Sequence, residues 1–78
     1  MARILLIDDD AALRGTLAQS LTYAGHEVLE AEDGRVGLAL FRANPANVVI
    51  TDLVMPNQEG IETIRQLRRS YPKLGIIA

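Results

Sequence analysis

Two unbroken aliphatic runs, Ile4-Leu5-Leu6-Ile7 and Val48-Val49-Ile50-Thr51, stand out against a chain that otherwise mixes apolar and polar positions. A continuous run, rather than an alternating one, is how a strand reads when both of its faces are covered, as in the middle of a parallel sheet. After the first run Asp8-Asp9-Asp10 ends the strand, and Asp10 is placed to cap a helix in which Leu13, Leu17 and Leu21 recur every fourth residue until Gly25. His26 to Ala31 alternates, with Val28 and Glu30 on one side and Leu29 on the other, and reads as an edge strand. Asp33-Gly34 opens a second helix through about Ala43, carrying Val36, Leu38, Leu40 and Phe41 although Gly34 and Gly37 weaken its propensity; Asn44-Pro45 closes it. A third helix from about Gly60 sets Ile61, Ile64 and Leu67 on one face and Glu62, Arg65 and Arg69 on the other. Tyr71-Pro72-Lys73 breaks it, and Ile76-Ile77 begins a fourth strand.

Strands alternating with helices predict a parallel α/β sheet with right-handed crossovers. At 78 residues the chain is expected to form one domain. Its 49% hydrophobic and 23% charged residues suit a folded globular chain, and a net charge of −2 gives no overall basic field for nucleic acid or anionic lipid. Without cysteine there is no disulfide, thiolate zinc site or cysteine nucleophile, and without a long apolar run no membrane span or signal peptide is expected. A cytoplasmic location is the default expectation.

The chemistry lies in the acids. Asp8 ends one buried strand and Asp52 ends another, so both belong to one rim of the sheet, where ligands collect in such folds. Two carboxylates about 4 Å apart repel by roughly 4 kcal/mol at an effective dielectric near 20, and a divalent cation is the economical way to offset this. Mg²⁺ suits a few carboxylate or carbonyl oxygens, with waters or phosphate oxygens completing an octahedron. In such a site Asp52 serves as a nucleophile toward phosphorus, forming an acyl phosphate. Taken separately, Asp8 to Asp10 would be a solvated loop with one helix cap and Asp52 a turn acid; their joint place at two strand ends favours the metal site. His26, beside a glycine and without a His or Cys companion, reads as a turn residue, and Tyr23, Phe41 and Tyr71 as packing. Arg65, Arg68, Arg69 and Lys73 read as a solvated basic face.

Through Ile4-Leu5-Leu6-Ile7-Asp8-Asp9-Asp10, Gly25-His26-Glu27-Val28, Glu32-Asp33-Gly34 and above all Val49-Ile50-Thr51-Asp52-Leu53-Val54-Met55-Pro56-Asn57-Gln58-Glu59-Gly60, the chain resembles the receiver domain of two-component response regulators. The resemblance implies a flavodoxin-like, three-layer α/β fold with a parallel sheet in the order 2-1-3-4. It implies that Asp52 is the phosphoacceptor, that Asp8 and Asp9 form an acid pocket in which Asp9 ligates Mg²⁺ directly, and that the backbone carbonyl of Val54 is a further ligand. The partner would be a histidine kinase or phosphotransfer protein, and the domain a substrate with assisting chemistry, not a turnover enzyme.

Residues 1–78 correspond to the N-terminal two-thirds of a receiver, which would continue to a hydroxyl residue and, after a fifth strand, a Lys; Lys73, in the loop before the fourth strand, is no evident substitute. One of the pairs Val48 with Ile50 or Val49 with Thr51, together with one isoleucine of the fourth strand, is then expected to lack a covering helix. This predicts a homodimer or higher oligomer through the uncovered sheet face and the fourth-strand edge, and an alternative role as a non-switching oligomerisation or interaction domain. A third reading, from the loose similarity of Asp8-x-Asp10 to the nucleophile motif of haloacid-dehalogenase-type phosphatases, fits poorly, because those enzymes want a hydroxyl residue where Ala12 stands.

Overall fold

A computed structural model describes residues 1–52 and 59–78. The elements run β1 (Arg3–Ile7), α1 (Ala11–Tyr23), β2 (Glu27–Ala31), α2 (Gly34–Ala43), β3 (Val48–Thr51), α3 (Glu59–Ser70) and β4 (Gly75–Ile77). All strand pairs are parallel, in the order β2-β1-β3-β4, with Ile7 opposite both Ala31 and Thr51 and Val49 opposite Ile76. The unbroken aliphatic runs occupy the two inner strands, as their composition predicts. β1 is the most enclosed, its Ile4 to Ile7 being at most 6% exposed.

The winding reverses after β2, which puts α1 on one face and α2 with α3 on the other. Leu5, Ile7, Ala31 and Val49 join Phe41, Leu67 and Leu74 in the main core, with Leu29, Val36 and Ile76 packed against it. α2 can approach the sheet closely because Gly37 has no side chain; a β-carbon there would stand 2.5 Å from Ile7 Cδ1 and 2.9 Å from Cγ1. The glycine that weakens helix propensity is therefore what lets the layers meet.

Helix ends follow the polar punctuation. Asp10 Oδ1 accepts the Leu13 N–H at 3.0 Å and Asp33 Oδ1 accepts the Val36 N–H at 2.8 Å, each satisfying a first-turn donor. Gly25 takes φ 98° after α1, a conformation that suits glycine. Beyond α3, the Leu74 carbonyl accepts from Arg68 Nη1 at 2.6 Å, tying the entry of β4 to the last turn of the helix.

Two helix faces differ from the sequence expectation. In α1 it is Ala18 that is buried, while Leu13 and Leu17 are 49% and 38% exposed. In α3 the inward positions are Gly60, Thr63 and Leu67, and Ile61 is exposed. Periodicity groups residues into a stripe but does not say which part of the helix surface turns inward; here that is Ala18 in α1 and Gly60, Thr63 and Leu67 in α3. On the α1 side of the sheet Val48 and Ile50 are half-buried and Ile77 is 56% exposed, whereas Val49 and Thr51 on the other side are buried. The less covered pair is thus Val48 and Ile50.

Candidate metal centre at the carboxyl rim of the sheet

The rim is assembled by extending the β-ladder one residue past each strand. Asp8 N–H donates to the Ala31 carbonyl at 3.0 Å, and Asp52 N–H donates to the Ile7 carbonyl at 3.1 Å. Asp8 and Asp52 therefore leave adjacent strands at the same level. Asp8 is 6% exposed, Asp52 half-buried and Asp9 exposed, so the group grades from the interior to solvent. One carboxylate oxygen from each of the three lies within 4.8 Å of the other two.

The turn that carries two of these acids is held at several points. Asp8 Oδ1 accepts the Asp10 N–H at 2.8 Å, the Asp10 carbonyl accepts the Arg14 N–H at 2.9 Å, and the Asp10 side chain caps α1. Asp10 is thereby committed to the helix, which leaves Asp8 and Asp9 as the carboxylates presented to Asp52. The Asp8 carbonyl accepts from Arg14 Nη1 at 2.6 Å, while Arg14 Nε donates to Glu30 Oε1 at 3.2 Å. Neither Arg14 nor Glu30 is singled out by sequence reasoning, since an arginine one turn into a helix and a glutamate on an edge strand are ordinary surface residues until the fold joins them.

Three carboxylates and no sulfur or imidazole make a hard-oxygen donor set, which suits Mg²⁺ in kind and leaves positions for water or phosphate oxygens. With oxygens no more than 4.8 Å apart, each pair of charges repels by about 3.5 kcal/mol or more for an effective dielectric near 20, less where Asp9 meets solvent. Val54, whose main-chain carbonyl is the fourth expected ligand, lies outside the described residues. Lys73 precedes β4 and so belongs to the opposite, amino rim of the parallel sheet. His26 accepts the Ala2 N–H at Nδ1, 3.2 Å away, in the turn before β2.

The sequence profile described as the response regulator receiver domain matches residues 4–78. The response regulator MprA of Mycolicibacterium vanbaalenii is 41% identical over 75 residues, which cover 96% of this chain and 32% of MprA. The chain thus spans about a third of that relative's length. Among solved structures, the chemotaxis response regulator CheY4 of Vibrio cholerae superposes with a TM-score of 0.89 at 35% identity, covering 97% of this chain and 65% of CheY4. The response regulator TrrA of Thermotoga maritima, in complex with Mg²⁺ and BeF, superposes with a TM-score of 0.90 at 33% identity, over 97% of this chain and 66% of TrrA.

Proposed function

The chain belongs to the family of response regulator receiver domains, and from that premise we propose that it takes a phosphoryl group onto Asp52 in a two-component phosphorelay, with Mg²⁺ held by Asp8, Asp9, Asp52 and the Val54 main-chain carbonyl. The observation that carries this reading is the convergence of oxygens from Asp8, Asp9 and Asp52 within 4.8 Å. Bound Mg²⁺ supplies positive charge that offsets the carboxylates and the incoming phosphoryl oxygens.

An Asp52 carboxylate oxygen attacks the phosphorus of a phosphohistidine on a histidine kinase or phosphotransfer protein. The new O–P bond forms as the P–N bond breaks, and the imidazole leaves with the bonding electron pair. The product is an acyl phosphate on Asp52 and a dephosphorylated donor. Asp8, buried and fixed by the Asp10 N–H, holds its carboxylate in place through the transfer, and half-burial leaves Asp52 open to the donor. In this role the chain is a substrate that assists its own modification, and the compartment expected of it is the cytoplasm. No helix among the described residues is long and apolar enough to cross a membrane.

Beryllofluoride, which stands in for a phosphoryl group, tests the reading. With Mg²⁺ it is expected to shift the amide resonances of Asp8, Asp9 and Asp52, and Asp52→Asn is expected to abolish the response. Shifts that persist in Asp52→Asn would refute Asp52 as the acceptor.

A different observation favours an interaction role: Leu13, Leu17 and Ile77 are exposed on the α1 side of the sheet. On this second reading another copy of the chain covers them, forming a homodimer or higher oligomer through the sheet face and the β4 edge. Light scattering across a range of concentrations decides it. A mass that stays monomeric, or an Ile77→Lys variant that associates as strongly as the wild type, would count against the second reading.

A further inference from the structure

Arg14 meets the acid rim through a main-chain carbonyl and the Glu30 carboxylate. Its Nη1 donates to the Asp8 main-chain carbonyl at 2.6 Å, and its Nε donates to Glu30 Oε1 at 3.2 Å. The side chain of Arg14 is 17% exposed and that of Glu30 44% exposed, so the Arg14 side chain is largely enclosed where α1 faces the edge strand β2. Glu30 stands opposite Leu6 in the β1–β2 register, one residue before Ala31, whose carbonyl receives the Asp8 N–H. The Asp8 peptide groups are therefore gripped on both sides, by β2 through the N–H and by Arg14 through the carbonyl. An arginine pair of donors in a rigid plane is suited to such a bridge.

The direction of the Asp8 carbonyl fixes the peptide plane that leads into Asp9. Asp9 is exposed and depends on that plane for where its carboxylate points. We infer that Arg14, braced by Glu30, is a positioning residue for the carboxylate centre, setting the backbone from which Asp8 and Asp9 meet Asp52. This rests on the reading of that centre as a Mg²⁺ site.

Charge and position make opposite predictions for Arg14. Removing a cation from beside a divalent-ion site would by Coulomb's law tighten Mg²⁺ binding. Removing a positioning contact would weaken it, and partners of this kind are worth about 10- to 100-fold in metal affinity.

The test is a Mg²⁺ titration followed by the amide resonances of Asp9 and Asp52, with the metal-free thermal midpoint measured beside it. Arg14→Met keeps the apolar stem and removes every donor; it is expected to bind Mg²⁺ about 10-fold more weakly. Arg14→Lys keeps a charge and a donor and is expected to recover part of the loss. A dissociation constant for Arg14→Met within twofold of wild type, or tighter, overturns the inference whatever the change in midpoint. Should Arg14→Met fail to fold, Glu30→Gln decides. It is expected to weaken binding about threefold, with the loss persisting in 0.5 M NaCl, where a Debye length of about 4 Å screens a purely electrostatic effect; a loss that vanishes in salt overturns the inference. Wild-type protein whose resonances ignore Mg²⁺ refutes the metal-site reading and this inference with it, whereas a responsive wild type matched by Arg14→Met refutes the role of Arg14 alone.

Discussion

Gly37 and Ile7 are packed so closely that a single added methyl group has no place between them: its carbon would lie 2.5 Å from Ile7 Cδ1. Ile7 is fully buried, so shifting its side chain displaces core neighbours, and its Cγ1, nearer the backbone, would also stand 2.9 Å from the added carbon. Gly37→Ala is therefore expected to destabilise the fold, although alanine favours a helix by about 0.8–1 kcal/mol over glycine, because overpacking a closed core costs about 1–3 kcal/mol. Gly15 is the control, with nothing within 4 Å of its would-be β-carbon. Gly15→Ala should gain up to about 1 kcal/mol. Urea denaturation of the two variants measures both signs.

Asp10 caps α1 and is not one of the three clustered carboxylates. Asp10→Ala is expected to cost about 1 kcal/mol of stability through loss of the Leu13 N–H bond, as is usual for an N-cap. The Asp10 N–H that holds Asp8 is main chain and survives the substitution, so Mg²⁺ affinity should change by no more than a few-fold. Paired denaturation and metal titration separate the two effects; a Mg²⁺ dissociation constant raised as much as in Asp9→Asn would refute the assignment.

Metal and stability should be coupled in a specific way. If Asp8, Asp9 and Asp52 hold Mg²⁺ only when folded, the ion stabilises the protein by about 2.7 kcal/mol at a hundred times its dissociation constant, and a chelator reverses this. Asp9→Asn should stabilise the metal-free protein slightly, by up to about 1 kcal/mol for an exposed charge, and remove most of the response to Mg²⁺. Thermal unfolding with and without Mg²⁺ checks both halves.

Arg68 anchors the start of β4 through the Leu74 carbonyl. Arg68→Ala is expected to cost about 0.5–1.5 kcal/mol and to speed hydrogen exchange in β4 before any other strand. Exchange that rises uniformly across the sheet would show that β4 does not open separately.

Strand identity, strand order and the three carboxylates were legible in the residues themselves or in the motifs they form, because unbroken aliphatic runs and acids at their ends are local signals. Contacts between distant side chains were not. The Leu13, Leu17 and Leu21 stripe announces a helix but does not reveal that Ala18 is the residue turned inward. Ile61 looks like a core residue by spacing, yet Thr63 is buried and Ile61 is 42% exposed. Gly37 reads as a weakness of α2 until Ile7 is seen against it. Arg14 and Glu30 are 16 residues apart, and only the fold brings the Glu30 carboxylate to Arg14 Nε while Arg14 Nη1 reaches the Asp8 carbonyl.

Because Asp52 continues the ladder from Ile7 and Asp8 continues it toward Ala31, the main-chain points from which these two acids project are set by the gauge of the sheet, about 4.8 Å between neighbouring strands. A domain built in this way cannot retune itself for a larger or smaller ion by adjusting its backbone without breaking main-chain pairing. Ion preference is left to side-chain reach, and an Asp-to-Glu exchange at the rim, one methylene longer, is the smallest change that would alter it.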